Sequence, residues 1–255
     1  MNLLQQLLQA TAAARALPAL PQEALDLAAG YRLQGQALQM RQAAGEVLTG
    51  WKLACGGVAA QQRLCLGEPV YGPLTDVMSL LPGSRVDLAR LIQPKLEIEL
   101  AFILGRSLPP GRYCDAEIFD AVAEVAPAFE IADCRWQGWR FGAGAFLADN
   151  AAAGLYCLGA RQTFDPQRHG HLNYRLEYQG VLCGSGVTDA REETPLGNLC
   201  WLIRRLLADG QPLEAGQLLL SGALLAPLAI QPGQYRLAML ESELMLDFQT
   251  ELIAG

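Results

Sequence analysis

Two acidic residues stand two apart in Lys95-Leu96-Glu97-Ile98-Glu99-Leu100-Ala101-Phe102, and a third stands alone in Val125-Ala126-Pro127-Ala128-Phe129-Glu130-Ile131-Ala132-Asp133. The first segment alternates in character. As a strand it points Leu96, Ile98, Leu100 and Phe102 one way and Glu97, Glu99 and Ala101 the other. Carboxylates at i and i+2 of a strand start roughly 6.5–7 Å apart on one face, a span that both side chains can close around one ion. Taken alone, the segment also reads as an amphipathic strand with a solvated face. Glu130 narrows the choice, because an unpaired carboxylate buried in an apolar run costs several kcal/mol. It needs an arginine, Arg135 or Arg140, or else a metal ion or a proton. Three carboxylates without histidine or thiolate select Mg2+ or Mn2+ over zinc and leave positions open for water and substrate.

Other reactive side chains are few. The seven cysteines form no Cys-x-x-Cys pair, and most lie in apolar segments such as Gly154-Leu155-Tyr156-Cys157-Leu158. They read as small buried hydrophobes in a reducing, cytoplasmic compartment. The two histidines, His169 and His171, share a polar stretch and read as surface residues, so neither supports a thiol nucleophile nor a metal. The net charge of -7, with no basic run, argues against nucleic acid. It also repels an acidic substrate, a difficulty that a bound cation removes locally. The N-terminal leucines lack a basic flank, and the longest apolar stretch, Leu218 to Ile230, is broken by Ser221, Gly222 and Pro227. No signal peptide or membrane span is expected from these segments.

The elements that must position the glutamates follow from periodicity. Helices are expected near residues 2–14 and from Gln22 to Gly45. Strands are expected at Leu48–Ala54, Arg85–Leu88, Lys95–Leu104, Val125–Ala132, Leu155–Gly159, Asn173–Tyr178, Val181–Val187, Gln217–Leu220, Tyr235–Met239 and Glu243–Phe248. Short helices fit Ala59–Leu64, Ala116–Glu124 and Phe141–Ala148, and a longer one fits Leu196–Asp209 behind the cap Thr194. Strands outnumber helices without regular alternation, which favours an α+β mixed sheet over a Rossmann or barrel design.

At the glutamates the chain resembles the fumarylacetoacetate hydrolase superfamily, in its 2-keto-4-pentenoate hydratase and 2-oxo acid decarboxylase branch. Glu97-x-Glu99 with Ala101-Phe102 is similar to that family's first pair of metal ligands, and Ala128-Phe129-Glu130-Ile131-Ala132-Asp133-x-Arg135 to the segment that supplies the third. Asp149-Asn150 with Gly154 and Gly159, Pro195-Leu196 ahead of Trp201-Leu202, and Ala215-Gly216 through Ser221-Gly222 follow in the family's order. Upstream, Gly50-Trp51-Lys52 and Gly72-x-Leu74-x-Asp76-x-Met78 match its active-site approach.

The resemblance implies a mixed β-roll preceded by helices, with residues 1–75 as a helical and lid segment and 76–255 as the catalytic domain. It implies Mg2+ or Mn2+ on Glu97, Glu99 and Glu130, and a cation that chelates a small 2-oxo acid and steadies the charge developing on its C2 oxygen. The activity implied is hydration of a 2-hydroxy-2,4-dienoate; the alternatives are decarboxylation of a 2-oxo-enedioate and a non-catalytic partner subunit. Lys52 becomes an acid/base or a cationic contact, where the residues alone suggest a surface lysine. Asp76 becomes a proton acceptor or water-positioning group, where the residues alone suggest a turn. Leu74, Ser221 and Gly222 become substrate contacts, and Arg135 and Arg140 candidates for a second substrate carboxylate. A homo-oligomer, or a complex with a related enzyme, is also implied. The chain departs from the pattern at Ala54-Cys55-Gly56-Gly57, where hydroxyl side chains are usual, at Ala151 to Ala153, and at Leu240-Glu241-Ser242-Glu243-Leu244.

Overall fold

The computed structural model describes residues 2–190 and 192–250. Two helices, α1 (Leu3–Ala12) and α2 (Leu27–Ala43), precede β1 (Leu48–Ala54), α3 (Val58–Arg63), β2 (Val70–Thr75), β3 (Ser79–Leu80) and β4 (Arg85–Asp87). Then come β5 (Pro94–Leu104), α4 (Asp115–Ala121), β6 (Val122–Asp133), α5 (Ala143–Ala148), β7 (Ala153–Leu158), β8 (Gln162–Thr163) and α6 (Pro166–His169). The chain continues through β9 (Asn173–Tyr178), β10 (Val181–Val187), α7 (Pro195–Ala208), β11 (Leu218–Leu220), β12 (Leu228–Ala229), β13 (Gly233–Met239) and β14 (Ser242–Gln249).

Among the described residues the strands form two sheets. The larger runs β2-β1-β11-β5-β6-β7-β3, with β12 paired to β5 and β8 to β6; the smaller runs β10-β9-β13-β14-β4. Parallel and antiparallel pairs are mixed, as expected for this fold class. Strands β1 and β2, which precede residue 76, belong to the larger sheet.

Alternation along β5 decides what each face does. Leu96, Ile98, Leu100 and Phe102 enter the main core, where they share a cluster with Leu176, Leu237, Leu244 and Phe248 of the smaller sheet. The opposite face carries Glu97, Glu99, Ala101 and Ile103, and the last two pack with Leu74, Ala126, Leu218 and Leu220. That face is therefore not the solvated side of an amphipathic strand, because Glu99 is fully buried.

Strand β2 is absent from the sequence-based expectation because Gly72 and Pro73 punctuate it. Pro73 is tolerated because β2 forms the sheet edge and pairs only with β1. Pro127, inside β6, sits where β8 has ended and β7 has not begun, so the missing amide interrupts no ladder on that side.

The helical N-terminus is fixed by two small residues. A Cβ on Gly30 of α2 would lie 2.5 Å from the Gly144 carbonyl oxygen of α5, so both helices need glycine to approach this closely. Asp26 caps α2 by accepting from the Ala29 amide.

Candidate metal centre

Glu97 and Glu130 are direct partners in the antiparallel β5–β6 register, and Glu99 lies opposite Ala128. Alternation and register thus bring three carboxylates to one side of the sheet. Their ligand atoms all lie within 4.8 Å of one another. Like charges directly opposite across strands repel, and burial magnifies the effect. Burial, and then the Glu130 charge, push the Glu97 carboxyl up to about 7. Burial also raises the Glu99 carboxyl well above the usual range, helped by Glu130 and Glu97.

Partial compensation comes from β1. Lys52 is 2% exposed, so it is not the surface lysine its local sequence suggests. Its Nζ lies 2.8 Å from Glu130 Oε1 and donates to the Ala151 carbonyl oxygen at 3.1 Å. Burial pulls this ammonium down, but Glu130, Glu97 and Glu99 outweigh that and hold it above the ordinary lysine value. Glu130 therefore takes Lys52 as its cation, and neither Arg135 nor Arg140 reaches it. The Gly222 amide donates to Glu99 Oε2 at 2.7 Å and orients that carboxylate.

One lysine and one amide do not satisfy the cluster. Glu99 Oε1 and Glu130 Oε2 are buried without any hydrogen-bond donor among the described residues. Orphaned acceptors of this kind are expensive unless a proton or cation fills the space between them. The donor set is all oxygen and carries three formal negative charges, which fits a hard divalent cation such as Mg2+ or Mn2+.

The cluster opens on a cavity of about 680 Å3, lined by Lys52, Glu97, Cys55, Arg63, Lys95, Asn198 and Gly222, among others. One wall is aromatic: Trp139 sits 6.2 Å from Phe141, which stacks on Phe146 at 4.9 Å. The carbonyl that receives Lys52 belongs to an unusual turn, in which Asn150, Ala151 and Ala152 have φ of 55°, 50° and 57°. Left-handed backbone at three consecutive non-glycine residues is costly, and such strain tends to persist where it positions something. Gly72 of β2 admits this turn, since a Cβ there would meet the Asn150 carbonyl oxygen at 2.7 Å.

Several residues singled out in the sequence stand elsewhere. Asp76 is exposed; its Oδ1 accepts from the Val47 amide at 2.9 Å and its own amide donates to the Val47 carbonyl at 3.0 Å, the turn chemistry its context suggests. Leu74 is buried in the packing on the glutamate-bearing face, with Ala101, Ala126 and Leu220, and does not line the cavity. Ser221 turns its Oγ toward the Leu100 amide at 3.4 Å, while its carbonyl accepts from Asn198 Nδ2 at 2.8 Å. Arg135 is buried against Asp149, to which its Nε and backbone amide both donate, and it also donates to the Asp149 and Ala153 carbonyls. It lines a separate, largely apolar cleft of about 550 Å3 that holds neither Lys52 nor the three glutamates.

Two further expectations need correction. His169 is buried, not at the surface: it ends α6, its Nδ1 accepts from the Asp165 amide at 2.9 Å, and its ring stacks on Phe164. Burial, then Arg168, lowers its pKa. Of the cysteines only Cys134, Cys157 and Cys200 are buried, whereas Cys65, Cys114 and Cys183 are exposed, because apolar neighbours in sequence do not fix which way a residue of an edge strand or turn points. Lys95, Trp139 and Phe141 went unremarked in the sequence; only Lys95 left a signal, as the residue two before Glu97 on the same strand face.

Among the described residues no helix is long and apolar enough to cross a membrane. No protein-family model matches the chain. It is 37% identical over 203 residues to the TodF product hydratase of Pseudomonas putida F1, covering 78% of this chain and 75% of that protein. It is 36% identical over 207 residues to a 2-keto-4-pentenoate hydratase of Paraburkholderia xenovorans LB400, covering 80% and 76%. The fold is similar to that of 4-oxalocrotonate decarboxylase from Pseudomonas putida G7, solved with magnesium and adipate: TM-score 0.89, 21% identity, 96% of this chain and 95% of that one.

Proposed function

The chain belongs to the 2-keto-4-pentenoate hydratase family, within the fumarylacetoacetate hydrolase superfamily, and on that premise we propose that it adds water to a 2-hydroxy-2,4-dienoate with one divalent cation held by Glu97, Glu99 and Glu130. The observation that carries this reading is the buried, under-satisfied carboxylate cluster facing the same cavity as Lys52. A bound Mg2+ or Mn2+ would supply Lewis-acid stabilisation of the negative charge that develops on the substrate's C2 oxygen.

The chain's own residues do the rest. Glu99 is held in place by the Gly222 amide, so its orientation does not depend on the ligand. Lys52 has three N–H donors; one is used by Ala151, one faces Glu130, and the third is left for substrate or for a water in transit. Placed beside the carboxylates and in poor contact with water, Lys52 Nζ is the group to carry a proton to the dienol carbon skeleton. The wall of Trp139, Phe141 and Phe146 gives the conjugated chain an apolar surface and keeps bulk water from one side. Cys55, Gly56 and Gly57 also line the cavity, without hydroxyl groups, so recognition there rests on shape more than on hydrogen bonds.

Decarboxylation of a diacid is the second reading: of the two arginines that a second carboxylate could use, Arg135 is committed to Asp149 and Arg140 lies outside this cavity. A purely structural partner role would leave the orphaned carboxylate oxygens unexplained. We further infer a cytoplasmic homo-oligomer, from the family resemblance and the free cysteines. Purified protein with Mg2+ should convert 2-hydroxypenta-2,4-dienoate into a 4-hydroxy-2-oxo acid and release no CO2 from a 2-oxo-enedioate. CO2 release without hydration would reverse the assignment.

A further inference from the structure

One cation in the cavity rests on an aromatic ring and not on a carboxylate. Lys95 stands two residues before Glu97, on the same face of β5, and both side chains line the cavity. Its Nζ lies 4.2 Å from the centroid of the Trp139 ring, and no carboxylate within ion-pair distance is found among the described residues. The indole is itself fixed, since Trp139 Nε1 donates to the Gln93 carbonyl oxygen at 2.9 Å. A lysine normally swings freely; resting on an anchored indole holds this ammonium in one place at little cost in hydration.

The charge count gives that position a purpose. Three glutamates, a divalent cation and Lys52 balance, and Arg63 and Glu193, which also line the cavity, offset each other. Lys95 is left over, one positive charge beside the site. A cation on the glutamates offsets the pull of Glu97 on Lys95, and the ammonium resting on Trp139 becomes available to an anion that enters.

We propose that Lys95, held by Trp139, binds a carboxylate of the incoming 2-oxo or 2-hydroxy acid. This rests on the reading of the cluster as a cation site. The single surplus charge matches one carboxylate, and the aromatic wall that begins at Trp139 accepts an uncharged chain behind it. Lys95 is a binding residue here; proton transfer stays with Lys52.

Calorimetry separates the two layers. Mn2+ is titrated into the metal-free wild type, Lys95→Met, Lys95→Arg and Trp139→Leu proteins, and oxalate is then titrated into each Mn2+-loaded protein. Lys95→Met should bind Mn2+ as tightly as the wild type or more so, because a repelling charge has gone, and should bind oxalate at least tenfold more weakly. Lys95→Arg should retain oxalate affinity within about threefold of wild type, as a guanidinium also rests on an indole. Trp139→Leu should fall between the two. Oxalate affinity in Lys95→Met within threefold of wild type would overturn the inference, as would a parallel loss of Mn2+, which would make Lys95 a prop for the glutamates. A wild type that takes up Mn2+ but no oxalate would sink the functional reading and this inference with it.

Discussion

Glu97 and Glu130 face each other across the β5–β6 ladder, and one Lys52 ammonium serves a cluster of three carboxylates. The fold thus holds like charges where they repel, an arrangement that only a proton or a cation relieves.

Substituting a ligand should separate stability from function. Glu97→Gln removes one of the repelling charges, so the metal-free protein should melt a few degrees higher while Mn2+ affinity falls about a hundredfold or more. Thermal melting with and without Mn2+ reads both effects, and a variant that melts lower yet binds Mn2+ normally would show that Glu97 is structural.

Metal-free stability should decline as pH rises through the neutral range. Burial and Glu130 push Glu97 up to about 7 in the fold against an ordinary value of 4.5, and Glu99 is also raised well above that ordinary value. Between those values the folded chain carries more protons than the unfolded chain, so stability falls with increasing pH. Asp149, raised to about 6 by burial against the pull of Arg135, acts in the same sense. Saturating Mg2+ should flatten most of this slope by taking the place of the protons. Melting temperatures between pH 5 and pH 8, with and without Mg2+, test the sign.

Lys52→Met should lower kcat by about two to four orders of magnitude if Lys52 Nζ carries the proton. It should also destabilise the metal-free protein by up to about 3–5 kcal/mol, since Glu130 loses its cation. Mn2+ should restore that stability without restoring turnover. Recovery of both would reduce Lys52 to a counter-ion.

Arg135→Met should unfold the protein more easily, by about 3–5 kcal/mol, because Asp149 would be left charged and buried. The folded variant should keep its KM. A raised KM at unchanged stability would return Arg135 to the substrate.

Much of this centre was legible before any fold was known, because period two along Lys95–Leu104 and the isolation of Glu130 in an apolar run are local facts. Strands such as β1, β9 and β10 have the limits their alternation suggests. What stayed hidden depends on long-range pairing. Nothing near Pro73 says that its strand is a sheet edge, which makes the proline harmless. Nothing near Lys52 says that its side chain enters the face on which Glu130 lies, or near Arg135 that Asp149, fourteen residues on, claims it. Leu74 packs on the glutamate-bearing face outside the cavity and Asp76 pairs with Val47 at an exposed turn, placements that motif order and spacing do not resolve.

The central claim is that these three glutamates hold the cation on which water addition depends. Disappearance of the dienol absorbance of 2-hydroxypenta-2,4-dienoate, followed in chelator-treated protein as Mn2+ is added back, tests it most directly. Activity should be lost on chelation, return in step with one Mn2+ bound per chain, and fail to return in Glu130→Gln at the same Mn2+ concentrations. Full turnover in the chelated protein, or undiminished rescue of Glu130→Gln, would contradict it.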